Sequence, residues 1–163
     1  MNLNKNEIEE LWDKVTPRLY GYLINTLKDA SLADDILQNT WLKAIEALPK
    51  FESRGKGFSA WIFSIARNEM RMHWRKNGHD VPYDQKLHDV SEERNDQEDK
   101  IFLTQIVEKL GEEEQELINL RYIADLSFLE ISKLLNVNLV AVRVKMHRAL
   151  SRARLILEIQ KYE

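Results

Sequence analysis

The stretch LSFLEISKLLNVNLVAVRVKMHRALSRARLIL, residues 126–157, decides the fold. Ser127 and Glu130 stand three residues apart at its start, the spacing of a capping box that opens a short helix. Asn136 falls where a tight turn between helices needs left-handed backbone, which Asn tolerates. Asn138 then predicts the N-cap of a second, longer helix. On that helix Leu139, Val142, Met146, Ala149 and Leu150 recur at inward-facing spacing. Arg143, His147, Arg148, Arg152 and Arg154 fall mostly outward. A short capped helix, a turn and a longer basic helix make a helix-turn-helix. Residues 143–154 hold five bases and no acid, an arrangement that is costly unless something anionic meets it. The bland alternative is an αα-hairpin with a solvated basic face.

Upstream, the periodicity stays helical. Ile8, Leu11, Trp12, Val15, Leu19, Leu23 and Leu27 recur at steps of three and four, and Pro17 is expected to kink or split that helix. A second helix is expected to open at Ser31, with Asp34 completing a weak capping box. Its apolar stripe is Leu32, Ile36, Leu37, Trp41, Ala44 and Leu48, and Pro49 ends it. The loop KFESRGKG (50–57) precedes a third helix over Phe58–Lys76, with Phe58, Ile62, Ile65 and Ala66 as its buried face. Residues 77–95 lose periodicity and predict a flexible acidic linker. A further helix starts near Asp96 with the stripe Ile101, Phe102, Ile106, Val107 and Leu110. Gly111 breaks it, and Glu112 to about Tyr122 resumes a helix with acids in its first turn. The fold class is therefore all-α, as two small helical domains, 1–78 and 96–163, joined by the linker 79–95.

The composition of the 163-residue chain agrees. Five Gly and three Pro are too few for a loop-rich β-sandwich. The absence of Cys excludes a disulfide framework, a thiol nucleophile and Cys-based zinc sites. No apolar run approaches the ~20 residues of a membrane span, and MNLNKNEIEE is not a signal peptide, so a soluble, cytoplasmic chain without membrane insertion is expected. A net charge of −3, from 24 Lys+Arg against 27 Asp+Glu, discourages a nucleic-acid partner when taken whole. By segment it is a cancellation. Residues 50–76 carry seven bases against two acids, net +5, and residues 143–154 another +5, while residues 84–99 carry seven acids against two bases, net −5.

The third helix carries Trp61, Ser64, Asn68, Arg71 and Arg75 along one stripe. Aromatic and amide groups there suit exposed bases and the Arg side chains suit a strand's phosphates; the plain alternative is a surface helix with one half-buried Trp. Asp34, Asp35 and Gln38 share the start of the second helix. Adjacent residues do not face each other, so paired-carboxylate catalysis is not implied; dipole compensation and a protein-docking surface both remain open. His73, His79, His88 and His147 offer no metal-ligand spacing. No Ser-His-Asp arrangement, phosphate loop or dinucleotide turn can be read, so no catalysis, metal or cofactor is expected.

Together, these segments resemble the extracytoplasmic-function (group IV) sigma factors of bacterial RNA polymerase. DDILQNTWLKAIEAL (34–48) and FSAWIFSIARNEMRMHWRK (58–76) resemble sigma region 2, and LINLRYIADLSFLEISKLLNVNLVAVRVKMHRALSRAR (117–154) resembles region 4. The resemblance implies a promoter-specificity subunit that binds core RNA polymerase through its β′ clamp helices and β flap, reads promoter DNA, and is restrained by an anti-sigma factor. It implies that Asp34, Asp35 and Gln38 dock on the clamp. Phe51, Arg54 and Lys56 would belong to a loop that captures a flipped minus-10 base. Trp61, Ser64, Asn68 and Arg71 would meet the melted strand, and Arg75 and Lys76 would hold phosphates. In region 4, Arg121 would touch the backbone, while Arg143, Val144, His147 and Arg148 would face the minus-35 major groove. The chain departs from the family's usual residues at Gly111, Asn136, Val140-Ala141, Val144 and Leu150.

Two other readings stay open on the sequence. One is a stand-alone helix-turn-helix regulator with residues 1–78 as a sensor or dimerisation module. The other is a helical adaptor with two basic faces.

Overall fold

The computed structural model of the chain describes residues 4–52, 57–78 and 97–163. The expected acidic linker 79–95 and the side chain of Ile101 lie outside the described residues. Among the described residues seven α-helices run in order: α1 Lys5–Leu27, α2 Ala30–Ala47, α3 Phe58–Lys76, α4 Gln97–Glu108, α5 Glu112–Ile118, α6 Phe128–Leu135 and α7 Leu139–Lys161. A 3-10 turn follows α2 over Leu48–Lys50, and a π-helical turn follows α5 over Asn119–Ile123. Among the described residues there is no strand.

The N-terminal unit packs α2 against both α1 and α3. Asn4 caps α1: its side chain accepts from Glu7 N–H at 2.9 Å while the Glu7 carboxylate accepts from Asn4 N–H at 2.8 Å. Pro17 does not split this helix. A mid-helix proline costs about 3 kcal/mol, but Val15, Leu19 and Leu23 on either side are fully buried. Each contributes about 1.5–3 kcal/mol, so burial outweighs the break. The start of α2 also corrects the sequence expectation. Asp29, not Ser31, is the cap, accepting from Leu32 N–H at 3.1 Å.

Helix α3 has the predicted span, but its buried face is rotated. Ala60, Ile62, Phe63, Ala66 and Met70 are buried, whereas Phe58 and Ile65 are only half-buried. Glu69 is buried as well, and its charge is met by the ammonium of Lys43 on α2. An aromatic run crosses the unit. Trp12 lies on Trp41 with ring centres 4.2 Å apart, and Phe58 links Trp41 at 6.5 Å to Trp61 at 5.6 Å.

The C-terminal unit surrounds Ile106, Leu110, Leu117, Leu120, Leu126, Ile131, Val142 and Met146, all buried. Gln115 ties α5 to the end of α4, donating its amide N–H to the Leu110 carbonyl at 2.8 Å. That contact satisfies a carbonyl that the helix end leaves unpaired.

The two units are packed together. The second half of α1 lies on the π-helical turn, and α3 lies on α6. Their apolar interiors form one continuous cluster, with Tyr22 and Phe63 from one unit and Leu117 and Leu120 from the other among its members. At Gly21 the approach is so close that a Cβ would stand 3.0 Å from Ile123 Cγ2.

Candidate nucleic-acid interface

The helix-turn-helix forms as its sequence dictates. The Ser127 hydroxyl accepts from Glu130 N–H at 3.1 Å and the Glu130 carboxylate from Ser127 N–H at 2.8 Å. Asn136 takes φ 53° and ψ 47°, the left-handed geometry expected of the turn. Ser132 fastens that turn by donating its hydroxyl to the Val137 carbonyl at 2.7 Å. Asn138 then caps α7 through Val140 N–H at 2.8 Å. Val142, Met146 and Ala149 point inward. This leaves Arg143, Val144, His147 and Arg148 exposed on the opposite face.

The five bases of residues 143–154 on α7 are not equivalent. Lys145 pairs with Glu113, and Arg152 pairs with Glu114 at 3.0 Å, so the acidic first turn of α5 takes up two of them. Arg143, Arg148 and Arg154 have no ion pair among the described residues and are exposed. Three unpaired guanidinium groups on one exposed helix suit a polyanion. Arg121, expected to touch the DNA backbone, has intramolecular partners in the structure. Its guanidinium donates to the Leu126 carbonyl at 3.1 Å and lies over the Phe128 ring at 5.1 Å, bracing the bend between α5 and α6.

On α3, helical geometry sets Trp61, Ser64, Asn68, Arg71 and Arg75 within one sector beside the core-facing side. Asn68, Arg71, Arg75 and Lys76 are exposed. Ser64 is half-buried and donates its hydroxyl to the Trp61 carbonyl at 2.6 Å. Phe51 is 8% exposed, with its ring 4.5 Å from that of Trp61 and 5.9 Å from that of Phe58. It therefore supports Trp61 from below rather than standing free to take a base. Arg54 and Lys56, expected in the same loop, lie outside the described residues.

Asp34, Asp35 and Gln38 are exposed on α2. Sequence reading overlooked their neighbours Leu42 and Ile45, which are 61% and 56% exposed on the same face. The signal was present: both fall off the apolar stripe that faces the core. Two exposed apolar side chains beside acids and an amide are a composition that suits protein docking. Beside it, Asp35, Gln38, Asn39, Glu69, His73 and Lys76 line an open cleft of about 290 Å³ between α2 and α3.

The Sigma-70 region 2 family matches residues 11–79, and the Sigma-70, region 4 family matches residues 103–152. The chain belongs to the sigma-70 family. The ECF RNA polymerase sigma factor BldN of Streptomyces coelicolor is 26% identical over 148 residues, covering 85% of this chain and 56% of BldN. The RNA polymerase sigma factor SigZ of Bacillus subtilis is 27% identical over 154 residues, covering 93% of this chain and 87% of SigZ. The sigma factor RpoE from Bartonella quintana, solved in complex with the anti-sigma factor NepR, superposes with a TM-score of 0.71 at 22% identity. That match covers 94% of this chain and 98% of RpoE, and shows a shared fold. In sigma-70 terms, α1 to α3 constitute region 2 and α4 to α7 constitute region 4. Among the described residues no helix is long and apolar enough to cross a membrane.

Proposed function

We propose that this chain is an extracytoplasmic-function sigma factor that directs core RNA polymerase to promoters through two different kinds of DNA reader. The carrying observation is that one chain holds two exposed cationic faces of unlike chemistry. The α7 face is Arg-rich and shaped for a groove. Arg143 and Arg148 there suit guanine edges or phosphates in a duplex, with Val144 and His147 between them. The α3 face sets an aromatic ring and an amide beside Arg71, Arg75 and Lys76. That combination suits unstacked bases and a single-strand backbone. We assign the α7 face to the minus-35 duplex and the α3 face to the melted minus-10 strand, with residues 1–78 and 96–163 as separate domains and 79–95 as their tether.

Core polymerase would dock on Asp34, Asp35, Gln38, Leu42 and Ile45. The relatives are sigma factors by name, and no catalysis by this chain alone is proposed. It would act in the cytoplasm, where its polymerase is. An anti-sigma factor would hold it idle, as the RpoE complex with NepR suggests by analogy. The test is in vitro transcription by core polymerase with and without the chain. Initiation from a defined start only in its presence is the expected result. Tight operator binding without polymerase, and no initiation, would overturn it in favour of a stand-alone regulator.

A further inference from the structure

We infer that Val140 and Val144 form an apolar reading edge on α7 that selects thymine methyl groups in the minus-35 major groove, a step that rests on the function proposed above. Val142, Met146 and Ala149 are buried and fix the direction of the core. At about 3.6 residues per turn, Val140 and Val144 fall within about 30° of the line directly opposite. Val140 is 66% exposed and Val144 is 42% exposed. The centre of the outward face is therefore apolar, and the bases stand beside it. Arg143 and Arg148, exposed and without an ion pair among the described residues, flank Val144 on its two sides.

Folding does not account for the pair. The solvent-facing line of a helix ordinarily carries polar residues, and β-branched valine is a weaker helix former than the straight-chain residues. Single exposed apolar residues are ordinary, but these two stand one turn apart. They also lie in the first two turns of α7, which Asn138 caps through Val140 N–H at 2.8 Å. The N-terminal residues of such a helix are the ones that reach base edges. In a helix valine strongly prefers one χ1 rotamer, so its methyl groups arrive already ordered.

The chemistry of the groove then chooses the occupant. Major-groove edges present hydrogen-bond donors and acceptors together with one apolar group, the C5 methyl of thymine. A valine set against a cytosine or adenine amino group strips it of water and offers no acceptor in return. Against a thymine methyl, both surfaces leave water at a gain. Four residues of helix rise about 6 Å, close to two base-pair steps of about 3.4 Å. The pair therefore reads two thymines within two steps of each other, on either strand, while Arg143 and Arg148 hold phosphates or guanines to either side. Both valines stand where the chain departs from the family's usual residues, so the preference is this chain's own.

The test uses the full chain with core polymerase on a pool of promoter fragments randomised over the minus-35 and minus-10 elements. Fragments that initiate should be enriched in two thymines at fixed positions of the minus-35 element. In a selected fragment each of these thymines is then replaced by deoxyuridine, which removes the methyl and keeps every hydrogen-bonding group. Each replacement should weaken promoter binding by the parent about fourfold, the worth of one buried methyl. Val144→Ala should lose about as much on the thymine fragment and become indifferent to uracil at one position; Val140→Ala should do so at the other. Alanine is the better helix former, so α7 should persist in both variants, and circular dichroism checks it. Parental binding that ignores uracil would overturn the methyl contact. Variants that lose equally on thymine and uracil fragments would overturn it as well. Variants that capture less core polymerase in the absence of DNA would move the apolar pair to a protein interface and overturn it too. A pool from which nothing initiates would sink the proposed function and this inference with it, whereas initiation blind to the methyl groups sinks this inference alone.

Discussion

Arg143 and Asn68 illustrate what a single side chain decides here. Arg143 is exposed on α7 and has no ion pair among the described residues, so Arg143→Ala would remove the proposed groove contact without unpairing a buried charge. It should cost about 1–3 kcal/mol of discrimination at one minus-35 position. Footprinting across single-base promoter variants measures it, and unchanged selectivity would remove Arg143 from the groove. Among the described residues Asn68 makes one weak side-chain hydrogen bond, from its amide nitrogen to the Met72 sulfur at 3.9 Å. Asn68→Ala should therefore slow open-complex formation, read by permanganate reactivity, more than it weakens duplex binding. Equal losses would count against strand contact. At this scale the local rules were legible. Ser127, Glu130, Asn136 and Asn138 do what their sequence spacing predicts. Phe51 and Arg121 were not legible, because a buried aromatic cluster and a guanidinium laid over Phe128 are tertiary facts. Neither carries a period that a sequence displays.

At the level of elements, α3 and α6 were read to the residue or nearly so; the Ser127–Glu130 capping box announces α6, whereas α3 has no side-chain cap and was read from its periodicity and the loop before it. Helix α1 was expected to kink or split at Pro17; it is not split, because the burial of Val15, Leu19 and Leu23 overrode the local penalty. Helix α2 is the most informative. Its core stripe was found, but the meaning of its outer face needed the exposure of Leu42 and Ile45. Charge reversal at Asp34 and Asp35, or Leu42→Ala with Ile45→Ala, should weaken capture of core polymerase at least tenfold. Thermal stability should change little, since exposed substitutions usually stay within about 0.5 kcal/mol. Undiminished capture in a pull-down would move the docking surface elsewhere.

The whole molecule answers the puzzle of its charge. A net charge of −3 hides two cationic faces, and both are exposed on separate helices. The two-domain, all-helical plan was legible because each helix announces itself locally. The closure of one domain on the other was not. It joins Tyr22 to Glu116 across 94 residues and depends on a glycine and an isoleucine meeting. Closure also predicts an alkaline weakness. Unfolded tyrosine ionises near pH 10, whereas the folded Tyr22, buried and beside the Glu116 carboxylate, keeps its proton. Above that pH the unfolded chain binds fewer protons than the native one, so stability falls as pH rises. Tyr22→Phe should flatten this alkaline limb in denaturant titrations at pH 9 to 11; an unchanged slope would mean that Tyr22 is not held as described.

The aromatic run from Trp12 through Trp41 to Trp61 has an optical consequence. All four tryptophans, with Trp74, fall in region 2 and none in region 4. Intrinsic emission from the unlabelled chain is thus a reporter for one domain alone. Quenching on addition of a minus-10 oligonucleotide would register strand contact at Trp61. A minus-35 duplex would stay spectroscopically silent until its binding pulled region 4 away from the helices that carry the indoles.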